Sequence, residues 1–272
     1  MLGMHLESRP SNSSVSYGDR MTGDVRHTIL VAAASQRGLI SKAQVKAKHD
    51  EAAVERTLED LEQVGDLVPV IGDIWFHLAA EPAPTPTLEA RALWMLTDPA
   101  VSVLARRDAF LAGGVTAVIG GLPALERWGL GPELLDAVID SPSASTGLLP
   151  ACDLVSVRWE RTTAREDVDW AYGHFPHRSV EATLVDGLRG GLGVDLVAEF
   201  LRDALREHLP LDPTRLLRHV IEYGAEEGWS RPTAADSFAE LVALAGGWPD
   251  LRPVESTIIW AAAREHVRQL RT

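Results

Sequence analysis

Apolar residues recur at Val25, Ile29, Leu30 and Ala33, the spacing of one helix face, and predict a helix over residues 22–37 that Gly38 ends. Leu39-Ile40 reads as a short extended link. Ser41 stands as the N-cap of a second helix running to Lys48, and Asp50 as the cap of a third. In that third helix Val54, Leu58 and Leu61 mark a buried face, and Gly65 stops it. The runs LVPVI and IWFHL then predict two short strands joined at Gly72-Asp73, a two-residue turn that glycine permits. Helix, link, helix, helix, hairpin is the order of a winged helix-turn-helix.

The pattern breaks at AAEPAPTPT, residues 79–87, where prolines at 82, 84 and 86 oppose both helix and central strand. Residues 80–87 are therefore expected to form a stiff linker. It divides a polar, Ser-rich tail without order (1–21) and a winged-helix domain (22–79) from a C-terminal α+β domain (88–272). In the last, LEARALWML predicts a helix, and TAVIGG, LLDAVIDS and LVSVRWERT predict strands over an α/β part of about 88–178. A helical part, about 179–272, follows from SVEATLVDGLRG to STIIWAAAREHVRQL, with Asp212-Pro213 a strong helix start. The expected fold class is mixed α/β (α+β), with a helical bundle at the end of the C-terminal domain.

Composition narrows the function classes. With 272 residues and 46% apolar content the chain can bury a sizeable core. Its apolar runs fall far short of the roughly 18 residues of a membrane span. The opening segment lacks the basic start and apolar stretch of a signal peptide, and Met4 or Met21 are alternative starts to Met1. A single cysteine, Cys152, suits a reducing compartment, so a cytoplasmic location is expected. A formal net charge of −13 argues against a general nucleic-acid coat and for a basic protein partner.

Charge is unevenly placed. The three lysines, Lys42, Lys46 and Lys48, all fall in the second helix, with Arg37 nearby. In a winged helix that element crosses the DNA backbone, which makes these four the candidate phosphate contacts. The third helix, which would read bases, instead carries Glu51, Glu55, Glu59 and Glu62 at spacings of four, four and three. They form one acidic stripe, either an ordinary solvated face or a surface for a basic partner. The pair Asp167 and Asp169 invites a metal reading, but no Gly-Ser turn precedes it, and TAREDVDWAYG reads as a helix start. His174 and His177 lack companions that would complete a metal site. Neither a catalytic residue, a metal nor a cofactor is expected.

Taken in order, several segments resemble the AbiEi-type antitoxins of type IV toxin–antitoxin pairs. GLISKAQV is similar to the start of that family's second helix, and LEQVGDLVPVIGDIWFHL to its helix end and wing. AVIGGLPALERWGL, VSVRWERTTAREDV and HRSVEATLVDGL resemble its later strands and helices, so the likeness spans roughly residues 22–228. Two positions depart from the pattern: Ala182 replaces an expected arginine, and the third helix and wing tip lack the expected cations. The resemblance implies a non-enzymatic regulator. It would repress its own operon through the winged helix, as a homodimer on promoter DNA, and counter a nucleotidyltransferase-like toxin through the C-terminal domain. The alternative is a protein-interaction adaptor whose winged helix no longer binds DNA.

Overall fold

In the computed structural model, residues 17–80, 85–130, 136–143, 150–171 and 174–247 are described. Among the described residues the chain is mixed α/β, with two sheets. Helix α1 (Tyr17–Ser35) leads into strand β1 (Leu39–Ser41), helices α2 (Lys42–Lys46) and α3 (Glu51–Gln63), and a hairpin of β2 (Leu67–Ile71) and β3 (Ile74–His77). β3 lies between β1 and β2, antiparallel to both, and Ile71 opposes Ile74 across the Gly72-Asp73 turn. Asp50 caps α3 as its position implies, accepting a hydrogen bond from the Ala53 amide. Ser41 precedes α2 but does not cap it. Its hydroxyl donates to the Pro99 carbonyl at 2.7 Å and fastens the helix to a later segment.

Strand alternation explains why this small sheet is largely apolar. Ile40 and Leu67 face a core with Ile29, Val54 and Leu61 of the first and third helices. Leu39, Ile74 and Phe76 face the other way, into a core with Trp94, Met95 and Ile139. Each face therefore packs apolar residues against a core of its own.

The second cover comes from α4 (Thr85–Leu96). The expected linker 80–87 therefore needs correction: residues 85–87 form the first turn of this helix, where a proline such as Pro86 is tolerated because its missing N–H would have no partner. Residues 81–84 lie outside the described set, as do 1–16 of the expected disordered tail, whose residues 17–21 open α1.

Beyond α4 come α5 (Val103–Leu111), β4 (Val118–Gly121), α6 (Leu122–Trp128), β5 (Ala137–Ser141) and β6 (Val155–Trp159). Where TAREDVDWAYG predicts a helix start, the chain makes one 3-10 turn, Arg165–Asp167, and passes into β7 (Val168–Asp169). β8 (His177–Arg178) completes a five-stranded sheet in the order β6-β5-β4-β8-β7. Helices α7 (Val180–Arg189), α8 (Val194–Arg206), α9 (Pro213–Glu226) and α10 (Arg231–Leu244) follow. They enclose a third core around Leu184, Val197, Leu201, Leu216 and Val220. Asp212 caps α9 through the Thr214 and Arg215 amides, with Pro213 in the first turn. The segment STIIWAAAREHVRQL lies outside the described residues.

Candidate functional site

The helical spacing of Glu51, Glu55, Glu59 and Glu62 does place all four on the exposed side of α3, opposite buried Val54, Leu58 and Leu61. α2 runs beside that face, and its lysines turn to it. Lys42 Nζ lies 2.7 Å from Glu55 Oε1, and Lys46 is ion-paired with Glu51. Hydrogen bonding between the two holds the Glu55 carboxyl below its ordinary pKa and the Lys42 ammonium above its own. The basic and acidic sets thus form one interlocked surface. Lys48 is exposed and makes no ion pair among the described residues.

Arg37 is elsewhere. It follows α1 with a backbone φ of 56°, and its guanidinium meets the His174 ring, at the far end of β1 from Lys42. The four expected phosphate contacts therefore do not form one patch: Lys42 and Lys46 face α3, Lys48 faces solvent, and Arg37 faces the C-terminal half.

A second concentration of charge was not foreseen. Parallel pairing of β5 with β6 sets Asp140 opposite Arg158, whose Nε donates to Asp140 Oδ1 at 2.7 Å. Arg178, at the end of β8, bridges Asp140 and Asp186 of α7, reaching the latter at 2.5 Å. Asp140 and Asp186 are buried, at 3% and 9% exposure, so each needs this partner. Burial alone would raise the Asp140 pKa, but Arg178 and then Arg158 override it and hold the carboxyl below its ordinary value. Arg189 extends the chain of pairs to Glu226 at 2.9 Å.

Next to it, Asp167 accepts from Arg218 at 2.6 Å and contacts His219 Nε2 at 3.0 Å. Burial opposes ionisation of Asp167 too, and the hydrogen bond with His219, with Arg218 nearby, prevails. These groups line a cleft of about 300 Å³.

A carboxylate holding a histidine is half of a general-base arrangement. Here the other ring nitrogen, Nδ1, faces Glu222 Oε2 at 3.4 Å, so both nitrogens meet carboxylates and neither is set against a hydroxyl or thiol. Asp167 and Asp169 also diverge: Asp167 binds α9, whereas Asp169 pairs with Arg127 at 3.0 Å. No group of three metal-ligating side chains occurs among the described residues. His177 is buried, with Nδ1 beside the Phe175 carbonyl.

Asp140, Arg178, Asp186, Arg218 and His219 escaped sequence reading because their partners lie 8 to 52 residues apart on separate elements. The one local signal is Asp140 directly after the apolar run AVI of β5. No protein-family model and no curated protein matches the chain, so the functional reading rests on its own residues and geometry.

Proposed function

We propose that the protein is a non-enzymatic, antitoxin-like transcriptional regulator: a winged helix at residues 22–79, joined to an α+β unit that counters a nucleotidyltransferase-like toxin. The observation that carries this reading is the succession α1–β1–α2–α3–β2–β3 folded into a three-stranded sheet ordered β1-β3-β2, the layout a winged helix requires. Its targets would be promoter DNA of its own operon and the cognate toxin. The buried charge network of the C-terminal half supports a fixed, structural scaffold there, since its arginines are already committed to carboxylates.

One observation favours the second reading, an adaptor for a basic protein. Lys42 and Lys46 are paired with α3, so DNA must compete with Glu55 and Glu51 for them. Two measurements on the full chain separate the readings. The regulator shifts a fragment of its own promoter at low salt and rescues growth when the neighbouring toxin is co-expressed. An adaptor does neither, and failure of both assays rejects the regulator.

A further inference from the structure

Beside the core face of α1 runs a second stripe at helical spacing, Thr28, Val31, Ala32 and Ser35. Val31 is 53% exposed there, while Val25, Ile29 and Ala33 are buried on the adjoining face. The stripe is one wall of an open cleft of about 490 Å³, bounded further by α2 and by α5 with the segment before it. Val45, Val101 and Ala105 extend the apolar lining. The side-chain amides of its floor are satisfied among themselves. Gln36 Nε2 donates to Gln44 Oε1 at 2.9 Å, and Gln44 Nε2 donates to the Val101 carbonyl at 3.0 Å. The Val103 amide donates to Gln36 Oε1 at 3.1 Å. These bonds fix the end of α1, α2 and the start of α5 against one another, so the cleft is preformed.

Charge decides what such a cleft can hold. The protein has 39 Asp and Glu against 26 Lys and Arg, yet no carboxylate among the described residues lines it. Lys48 and His27 are the titratable groups of the lining. Lys42 and Lys46 are paired with glutamates of α3, whereas Lys48 is exposed at the cleft without an ion pair among the described residues. An apolar concavity of this size with an ammonium at its edge fits an amphipathic anion. The apolar body displaces water from the walls, and the acid head meets the ammonium. An inorganic anion would leave the walls wet, and a neutral apolar molecule would leave the ammonium unused.

We propose that this cleft binds a small organic acid with an apolar body, and that Lys48 holds its carboxylate. The site shares α2 with the lysine–glutamate surface but includes neither Lys42 nor Lys46, so it stands or falls apart from DNA binding.

The full chain is titrated with octanoate by calorimetry at constant ionic strength, and in parallel with 1-octanol, which has the same body and no charge. Saturable binding of octanoate, tighter than that of octanol, is expected. Lys48→Gln should weaken octanoate about threefold or more, the share of an exposed charge contact, and leave octanol unchanged. Ala105→Trp, at an exposed position in the wall, should fill the cleft and weaken both by about tenfold or more. Lys46→Gln removes the same charge outside the cleft and should bind as the unaltered chain does. Should Ala105→Trp not fold, Val31→Trp on the exposed α1 wall replaces it. Absence of saturable octanoate binding overturns the site, as does undiminished affinity in the wall variant. Octanol binding as tight as octanoate, equal octanoate affinity in Lys48→Gln, or an equal loss in Lys46→Gln overturns the proposal by removing Lys48 as the partner of the carboxylate.

Discussion

Lys42 of α2 is held 2.7 Å from Glu55 of α3, so a lysine expected to meet phosphate is bound to the helix expected to face the bases. Lys46 and Glu51 repeat the arrangement one turn on. DNA approaching this surface must displace two carboxylates before it gains two ammonium contacts. Each contact released to the backbone steepens the dependence of log affinity on log salt by about 0.9. Glu51→Gln with Glu55→Gln is therefore expected to strengthen binding to a promoter fragment and to steepen that slope by about 1.8. Adding Lys42→Ala and Lys46→Ala to the Gln pair should reverse both changes. Mobility shifts at several salt concentrations check both; a Gln pair that weakens binding shows the glutamates reading the DNA themselves.

Burial separates the ion pairs that stabilise this fold from those that merely decorate it. Arg178 neutralises Asp140 and Asp186, both at or below 9% exposure, whereas Arg206 pairs with Asp203 at 70% and 40% side-chain exposure. Removing one partner of a buried pair strands its carboxylates, at a cost of about 3–5 kcal/mol. An exposed pair contributes at most about 1 kcal/mol. Arg178→Met is thus expected to lower unfolding free energy by about 3 kcal/mol or more, and Arg206→Gln by less than about 1 kcal/mol. Urea unfolding of the two variants measures the contrast, and similar losses would remove the network from the stability of the fold.

Acid should unfold the protein through the same carboxylates. Asp140 and Asp167 both ionise below their ordinary value, because arginine and histidine contacts outweigh burial. A carboxyl whose pKa is depressed in the folded state stabilises it above the unfolded value, about 3.9, and this is lost as pH falls through the folded value. From these two groups the urea midpoint should stay level between about pH 7 and 5 and drop below about pH 4. Asp167→Asn should start lower at neutral pH and fall less steeply on acidification. An unchanged acid profile would show that Asp167 does not titrate with unfolding.

Local chemistry made the N-terminal elements legible. The Asp50 cap, the Val54, Leu58 and Leu61 stripe, the Gly65 stop and the Gly72 turn each sit within a few residues of what they specify. The LVPVI and IWFHL runs even carried a fact beyond their own strands: a sheet apolar on both faces must be covered on both, and α4 supplies the second cover. What covers it is a tertiary outcome that proline spacing obscured. TAREDVDWAYG departs from its expected helix start for a similar reason. Its acids suit a helix start, but Asp167 is drawn to Arg218 and His219, and Val168 and Asp169 are drawn into the sheet beside β8. Of the site residues, the spacing of the glutamates was readable and their lysine partners were not, since Lys42 and Glu55 are 13 positions apart on different helices.

The start of α6 offers a sharper test of the C-terminal half. Gly121 has a φ of 68°, where side chains are strained, and a Cβ there would lie 1.9 Å from the Asp136 carbonyl oxygen. That oxygen belongs to backbone leading into β5, which pairs with β4 from Gly121 to Val118, so it cannot withdraw without opening the ladder. Gly129 ends the same helix at the same φ of 68°, but no atom lies within 4 Å of its would-be Cβ. The pair therefore separates conformational strain from steric exclusion. Gly129→Ala should lose about 1 kcal/mol from strain alone. Gly121→Ala carries that strain and the clash with backbone, and should lose about 3 kcal/mol or more. Thermal and urea unfolding of both variants decide it. Equal, small losses would mean that β4 and β5 part more readily than their register implies, and the tight turn into α6 would no longer be what fixes the sheet against the helices.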